Sequence, residues 1–399
     1  MLKLPKLSTG QLDKVNIGLM IISLILAYIL PFEVFLFSYA VLGPLHYLTE
    51  ISWLHQKNYY VPNVKKISLW VFPILGAILT FVLVYDDVVE LINKAQDLPA
   101  PKKKVFANIW NTNLIFFLFG LACVLVLLQK LWMKIAGVII VSIFALSFNL
   151  GQTYIECTNP ETKQVQNFQE DNPKKERAFI QKNGFDTDGD GFIDNCKTKY
   201  SYHGAAMFFT AYLPTLIHVY IFTMLFMLFG ALKSGSKIGL VSVAVLVVCG
   251  VLPFLWDPGF LHYKVSDAAK LSYDASFFDL NGIILQDFKS LAATPENVYG
   301  SRFGIMLTRF IAFAYTYHYL NWFSKTSIIQ WHKMRGLNLG IVLVLWVIAV
   351  VLYYVNYKTG LTALLFLSFL HVFLEFPLNY TTFKGIVLSI IKKKKAAAV

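Results

Sequence analysis

Gly43-Pro44-Leu45-His46-Tyr47-Leu48-Thr49-Glu50-Ile51-Ser52-Trp53-Leu54-His55 places a histidine and a glutamate four residues apart inside an otherwise apolar stretch. Ionisable groups in a membrane span are expensive, so such a pair marks function. A helical repeat of 3.6 residues per turn puts His46 and Glu50 on one face, against the same neighbours.

The rest of the chain says what surrounds that stretch. Its 399 residues are 57% hydrophobic and 15% charged, with a mean hydropathy of +0.58. Its apolar runs reach the roughly 20 residues that cross a hydrocarbon layer of ~30 Å. They are continuously apolar rather than alternating, which excludes a transmembrane β-barrel. The expected fold is an all-α polytopic membrane protein of about ten transmembrane helices, near 16–31, 33–54, 67–85, 106–128, 131–150, 204–230, 237–256, 303–324, 337–356 and 361–380.

The net charge of +12 is carried by short basic segments at span ends and by the tail Lys392-Lys393-Lys394-Lys395. That is a topology signal, and no span-free basic domain exists to bind nucleic acid. Lys3, Lys6, Lys14, Lys57, Lys65, Lys66, Lys130, Lys134, Lys233, Lys237, Lys325, Lys333 and Arg335 all fall on one side of a ten-span topology, whereas Lys102-Lys103-Lys104 depart from it. Both termini are therefore expected in the cytoplasm, in a multi-pass protein of the bacterial inner membrane. The first apolar run continues past Leu30 without a small-residue cleavage site, so no cleavable signal peptide is expected. The predicted organisation is helices one to five over 1–150, an extracytoplasmic loop over 151–203, helices six and seven over 204–256, a second outer loop over 257–302, and helices eight to ten with a basic tail over 303–399.

The first outer loop carries a metal-type motif. Asp186, Asp188, Asp190 and Asp194 supply side-chain oxygens at loop positions 1, 3, 5 and 9, Gly191 stands at the sharp turn and Phe192 offers a carbonyl at position 7. Lys197 replaces the usual bidentate Glu. The spacing predicts a structural Ca2+ site of the Asp-rich extracellular kind, against the alternative of a solvated acidic turn. Cys157 and Cys196 bracket it on the oxidising side and are expected to form a disulfide worth roughly 3–4 kcal/mol on loop-entropy grounds. Cys123 and Cys249 lie within spans and read as small apolar packing residues.

Four histidines lie inside spans: His46, His218, His318 and His371. All four spans run in the same direction, and the histidines fall 10 to 15 residues from the outer ends, a depth of roughly 15–22 Å. Four imidazoles at one level can converge on a transition metal, with Glu50 and Glu375 orienting them through hydrogen bonds. His371-Val372-Phe373-Leu374-Glu375 repeats the His-x-x-x-Glu spacing of His46 and Glu50. The competing reading is four histidines separately hydrogen-bonded between helices. Phe310, Phe313, Tyr315, Tyr317 and Trp322 around His318, and Phe366, Phe369, Phe373 and Phe376 around His371, could wall an apolar ligand or simply pack.

These windows resemble the Brp/Blh-type membrane β-carotene 15,15'-dioxygenase family of bacteria and archaea, which carries intramembrane histidines followed four residues later by an acid. The matching residues are Gly43-Pro44-Leu45-His46 with Glu50, Ile217-His218-Val219, Tyr317-His318-Tyr319, and His371 with Glu375. The resemblance implies Fe(II) bound by His46, His218, His318 and His371, and oxygen-dependent cleavage of a carotenoid. The chain departs from the pattern in having Glu for Asp, Leu45 between Pro44 and His46, and Phe222 where an acid would follow His218.

The sequence thus favours a metal-dependent, iron-containing oxygenase acting on a lipid-soluble isoprenoid or acyl chain. Two other classes compete: a proton- or ion-coupled transporter using the His/Glu cluster, and an accessory subunit docking a protein partner through its outer calcium loop.

Overall fold

The computed structural model describes residues 8–57, 68–96, 111–147, 151–158, 165–168, 196–202, 204–258, 263–274, 276–325 and 336–397. Helix α1 (Thr9–Ile29) opens with a capping box between Ser8 and Gln11, which satisfies two amides that the first turn leaves unbonded. One continuous rod follows: α2 (Pro31–Phe37), a π segment (Ser38–Leu42) and α3 (Gly43–Lys57). The π segment ends just before Pro44. Proline lacks an amide hydrogen and its ring crowds the carbonyl four residues back, and a wider turn relieves that crowding.

Helices α4 (Ser68–Ala95), α5 (Asn111–Leu127) and α6 (Leu131–Ser147) come next. A second composite rod joins α7 (Gly204–Met207), a π segment (Phe208–Phe222) containing Pro214, and α8 (Thr223–Ser234). Then follow α9 (Lys237–Leu255), the short helices α10 (Asp267–Asp274), α11 (Phe278–Lys289) and α12 (Pro295–Tyr299), and α13 (Arg302–Ser324). Helices α14 (Gly336–Val355) and α15 (Tyr357–Ala397) complete the chain. Among the described residues six helical segments are long and apolar enough to cross a membrane: Thr9–Ile29, Pro31–His55, Gly204–Ser234, Lys237–Leu255, Asn338–Val355 and Tyr357–Ile391. Three shorter apolar helices accompany them.

Two features depart from the sequence expectation. The 151–203 connection is not wholly irregular: β1 (Gly151–Thr158), β2 (Val165–Phe168) and β3 (Cys196–Tyr202) form an antiparallel sheet in the order β2-β1-β3. The alternation in Thr153-Tyr154-Ile155-Glu156-Cys157-Thr158 and Lys197-Thr198-Lys199-Tyr200-Ser201-Tyr202 is that of strands. The register sets Cys157 opposite Cys196, a spacing a cross-strand disulfide can close. Among the described side chains no disulfide is formed, and Cys123 and Cys249 are free. The calcium-type loop of Asp186, Asp188, Asp190, Phe192 and Asp194 lies outside the described residues. The last helix is also far longer than the expected 361–380 span, at 41 residues. At 1.5 Å per residue it extends about 60 Å, roughly twice the hydrocarbon thickness.

The bundle centres on α13, buried along most of its length and packed against α1, α2, α9 and the first π segment. At one end of the bundle, Ser236 donates to Asp13 at 2.6 Å and Ser324 to Asn16 at 2.9 Å. At the other, Tyr28 donates to the Trp256 carbonyl and Tyr263 to Glu33. Arg309, 1% exposed, reaches Asp257 at 2.7 Å and lies over the Tyr28 ring at 4.9 Å, so its charge is balanced inside the bundle.

Close helix contact positions the site. A Cβ on Gly76 of α4 would lie 2.5 Å from the Phe373 ring of α15, two residues beyond His371, and Phe373 stacks on Phe72 at 4.4 Å. Gly76→Ala is expected to cost about 1–3 kcal/mol by overpacking. Thermal denaturation in detergent checks this against Gly18→Ala, where a Cβ meets nothing within 4 Å and the melting temperature should hold.

Candidate metal centre

The four intramembrane histidines meet. His46 comes from α3, His218 from the second π segment, His318 from α13 and His371 from α15. Each is 8% exposed or less. Their rings form a closed quadrilateral with centroid separations of 4.7 Å for His46–His318, 5.1 Å for His318–His218, 5.1 Å for His218–His371 and 5.4 Å for His371–His46. Nε2 of His318 lies 3.1 Å from Nε2 of His46, and Nε2 of His371 lies 3.2 Å from Nε2 of His218. Two ligands held ~2.1 Å from one ion, subtending roughly 95–100°, are separated by such a distance.

The outward-facing nitrogens fix the tautomers. Thr223 spends its single hydroxyl proton on the Val219 carbonyl at 2.8 Å. Its oxygen, 2.7 Å from His318 Nδ1, can then only accept, so His318 carries its proton on Nδ1. His371 Nδ1 lies 3.3 Å from the Leu367 carbonyl, another group that only accepts. His218 Nδ1 lies 2.9 Å from Glu375 Oε2, close but outside hydrogen-bond alignment, and a carboxylate there selects the Nδ1–H form as well. In these tautomers three imidazoles direct Nε2 lone pairs into the same small volume. Lone pairs at these separations repel unless a cation lies among them, and holding the far ring proton is how proteins orient metal-ligating histidines.

The two carboxylates do different things, where the spacing His-x-x-x-Glu suggested one common orienting role. Glu50 Oε2 is 3.1 Å from His46 Nε2, the nitrogen that faces His318. Glu50 thus stands on the inner side of the ring, and one of its carboxylate oxygens, with one ring nitrogen each from His46 and His371, lies within reach of a single ion, the three atoms being within 4.8 Å of one another. Glu375 reaches instead to the outward nitrogen of His218, on another helix.

Aromatic side chains set the rings in place. Tyr47 stacks on His371 at 4.2 Å and 24°, and its hydroxyl lies 3.0 Å from that of Tyr319. A Cβ on Gly43 would come within 3.2 Å of both hydroxyls. Trp322, 5.2 Å from His46, donates its indole N–H to Thr49. Thr223 and Trp322 act on histidines of other helices, so no spacing in the sequence points to their roles. Tyr47 was findable only as the neighbour of His46.

The ring of histidines separates two chambers. One, here the outer chamber because it lies on the side the basic segments predict to face outward, is about 410 Å³, with His218, His318 and His371 on its lining and walls of Tyr47, Tyr319, Phe277, Leu280, Ile283 and Phe369. The inner one, about 590 Å³, has His46, His318, Glu50 and Glu375 at its floor and Asp13 and Lys325 on its walls. Lys325 follows the last residue of α13, and its burial pushes the ammonium down to about 8, against the pull of Asp13, Glu375 and Glu50.

Thr223→Val removes the acceptor that fixes the His318 tautomer while keeping the side-chain shape. Metal affinity of the purified protein, read by competition with a chelator of known strength, should fall about 10- to 100-fold for Thr223→Val and for Glu375→Gln.

Compared with known proteins, the chain matches no family model, no curated protein and no solved structure.

Proposed function

We propose that this chain is a metal-dependent integral-membrane enzyme, an iron oxygenase acting on a lipid-soluble substrate such as a carotenoid or another isoprenoid or acyl chain. The observation that carries the reading is the convergence of three tautomer-fixed Nε2 lone pairs in a buried, four-histidine ring. His46, His218, His318 and His371 would hold the ion, with Glu50 beside it. An all-imidazole set suits iron, zinc or copper and disfavours calcium or magnesium, and iron supplies the electron chemistry that dioxygen requires.

The residues around the centre would divide the remaining work. Tyr47 and Tyr319 fix the rings of His371 and His46 from the outer side. Thr223, Leu367 and Glu375 hold the outward ring protons, so the Nε2 atoms stay free to bind. Phe277, Leu280, Ile283 and Phe369 give the outer chamber walls that accept hydrocarbon and exclude water, and its size falls in the ordinary range of ligand pockets. The resemblance of the histidine windows to carotenoid-cleaving membrane enzymes makes a polyene the first substrate to try. An outer calcium site at Asp186, Asp188, Asp190, Phe192 and Asp194, and a Cys157–Cys196 disulfide favoured by the strand register, would brace the cap. The basic segments favour cytoplasmic termini in a bacterial inner membrane.

A second reading has an observation of its own: His318 borders both chambers, an arrangement also suited to a proton- or ion-coupled transporter. Metal content separates the two. Purified protein should hold near-stoichiometric iron and consume dioxygen when an apolar polyene is added, and His371→Ala or His218→Ala should lose both properties. Full metal content in both variants, or pH-driven flux in liposomes without bound metal, would favour transport.

A further inference from the structure

A buried metal centre needs a path by which the ion arrives. The four imidazoles are shielded from the surface, and the two chambers that meet them differ in kind. The outer chamber is walled by Tyr, Phe, Leu and Ile together with the hydroxyls of Thr210, Thr215, Ser276 and Ser368, and Asp279 is its single carboxylate. A divalent cation finds one anionic ligand there. The inner chamber brings three carboxylates to its wall: Asp13 on α1, and Glu50 and Glu375 beside the histidines.

We propose that the inner chamber is the loading route for a divalent transition-metal cation, passed from Asp13 to Glu50 and Glu375 and from them to the four histidines. The inference rests on the reading that these histidines hold a metal. Two further observations support it. Asp13, Glu50 and Glu375 all act on the buried Lys325 ammonium that lines the same chamber, so the three carboxylates belong to one connected charged group. Glu375 is 4% exposed, borders the chamber, and sets its Oε2 2.9 Å from His218 Nδ1, so a carboxylate of this chamber touches the histidine ring directly. The other charged group on the chamber wall is Lys233 near the mouth. Asp13 is held in place by Ser236.

Gly230 lines the inner chamber, and an added Cβ there meets nothing within 4 Å. The test uses full-length protein stripped of metal by a chelator, with Co(II) as the probe and its visible absorption as the readout. Gly230→Cys carrying a bulky hydrophilic maleimide should take up Co(II) about tenfold more slowly than the unlabelled variant, with the final stoichiometry unchanged. Thr210→Cys, labelled in the outer chamber, should load at the parental rate, and labelled parent protein reports any contribution of native cysteines. Asp13→Asn should slow loading without altering the final spectrum. Equal rates for blocked and unblocked Gly230→Cys, or slowing by the Thr210→Cys label instead, would overturn the route while leaving the metal centre intact. Failure of the parent protein to bind Co(II) at all would overturn the metal reading itself.

Discussion

Everything in this structure depends on how four imidazoles can be kept together in a membrane. Their Nε2 atoms point at one another across 3.1 and 3.2 Å, and for three of them the ring proton is committed outward to Thr223, Leu367 or Glu375. The carboxylate of Glu50 beside His46 Nε2 favours a proton there, so His46 can donate to His318. Between His371 and His218 two inward lone pairs face each other, a repulsive contact that a bound cation converts into an attractive one.

The backbone serves that requirement. Two of the four histidines sit in or directly after π segments, at Ser38–Leu42 and Phe208–Phe222. The first is followed by Pro44 and the second contains Pro214. An extra residue in a turn rotates everything beyond it by about 100°. That rotation aims His46 and His218 inward without bending their helices out of the bundle. Phe373, fitted over Gly76, locks α15 against α4 just past His371, and the Tyr47 stack holds the ring itself. A rigid aromatic frame is a reasonable means of placing ligands that must not drift.

Much of this was legible in the chain before its folding was known. Continuous apolar runs gave the class, and the shared depth of His46, His218, His318 and His371 gave their meeting, because depth along a helix follows from counting residues. Rotation about the axis does not follow when the period changes, which is why spacing suggests only an orienting role for Glu50 although its carboxylate stands beside the inward His46 Nε2. Spacing alone sets Glu375 one turn from His371, yet its carboxylate reaches His218 on another helix. Thr223 was invisible, since a threonine in an apolar helix ordinarily bonds its own backbone, and this one does so while also accepting from His318. The small sheet escaped because its short strands sit among polar residues that read as loop. The long final helix escaped because hydropathy falls near residue 380 although helix formers continue through Lys392-Lys393-Lys394-Lys395.

X-ray absorption at the metal edge of protein purified with its native ion tests the central claim most directly. The account predicts a first coordination sphere of nitrogen and oxygen near 2.1 Å, with the outer-shell scattering of three or four imidazoles, reduced by one ring in His371→Ala. A metal-free protein, or a spectrum showing no imidazole scattering, would contradict it.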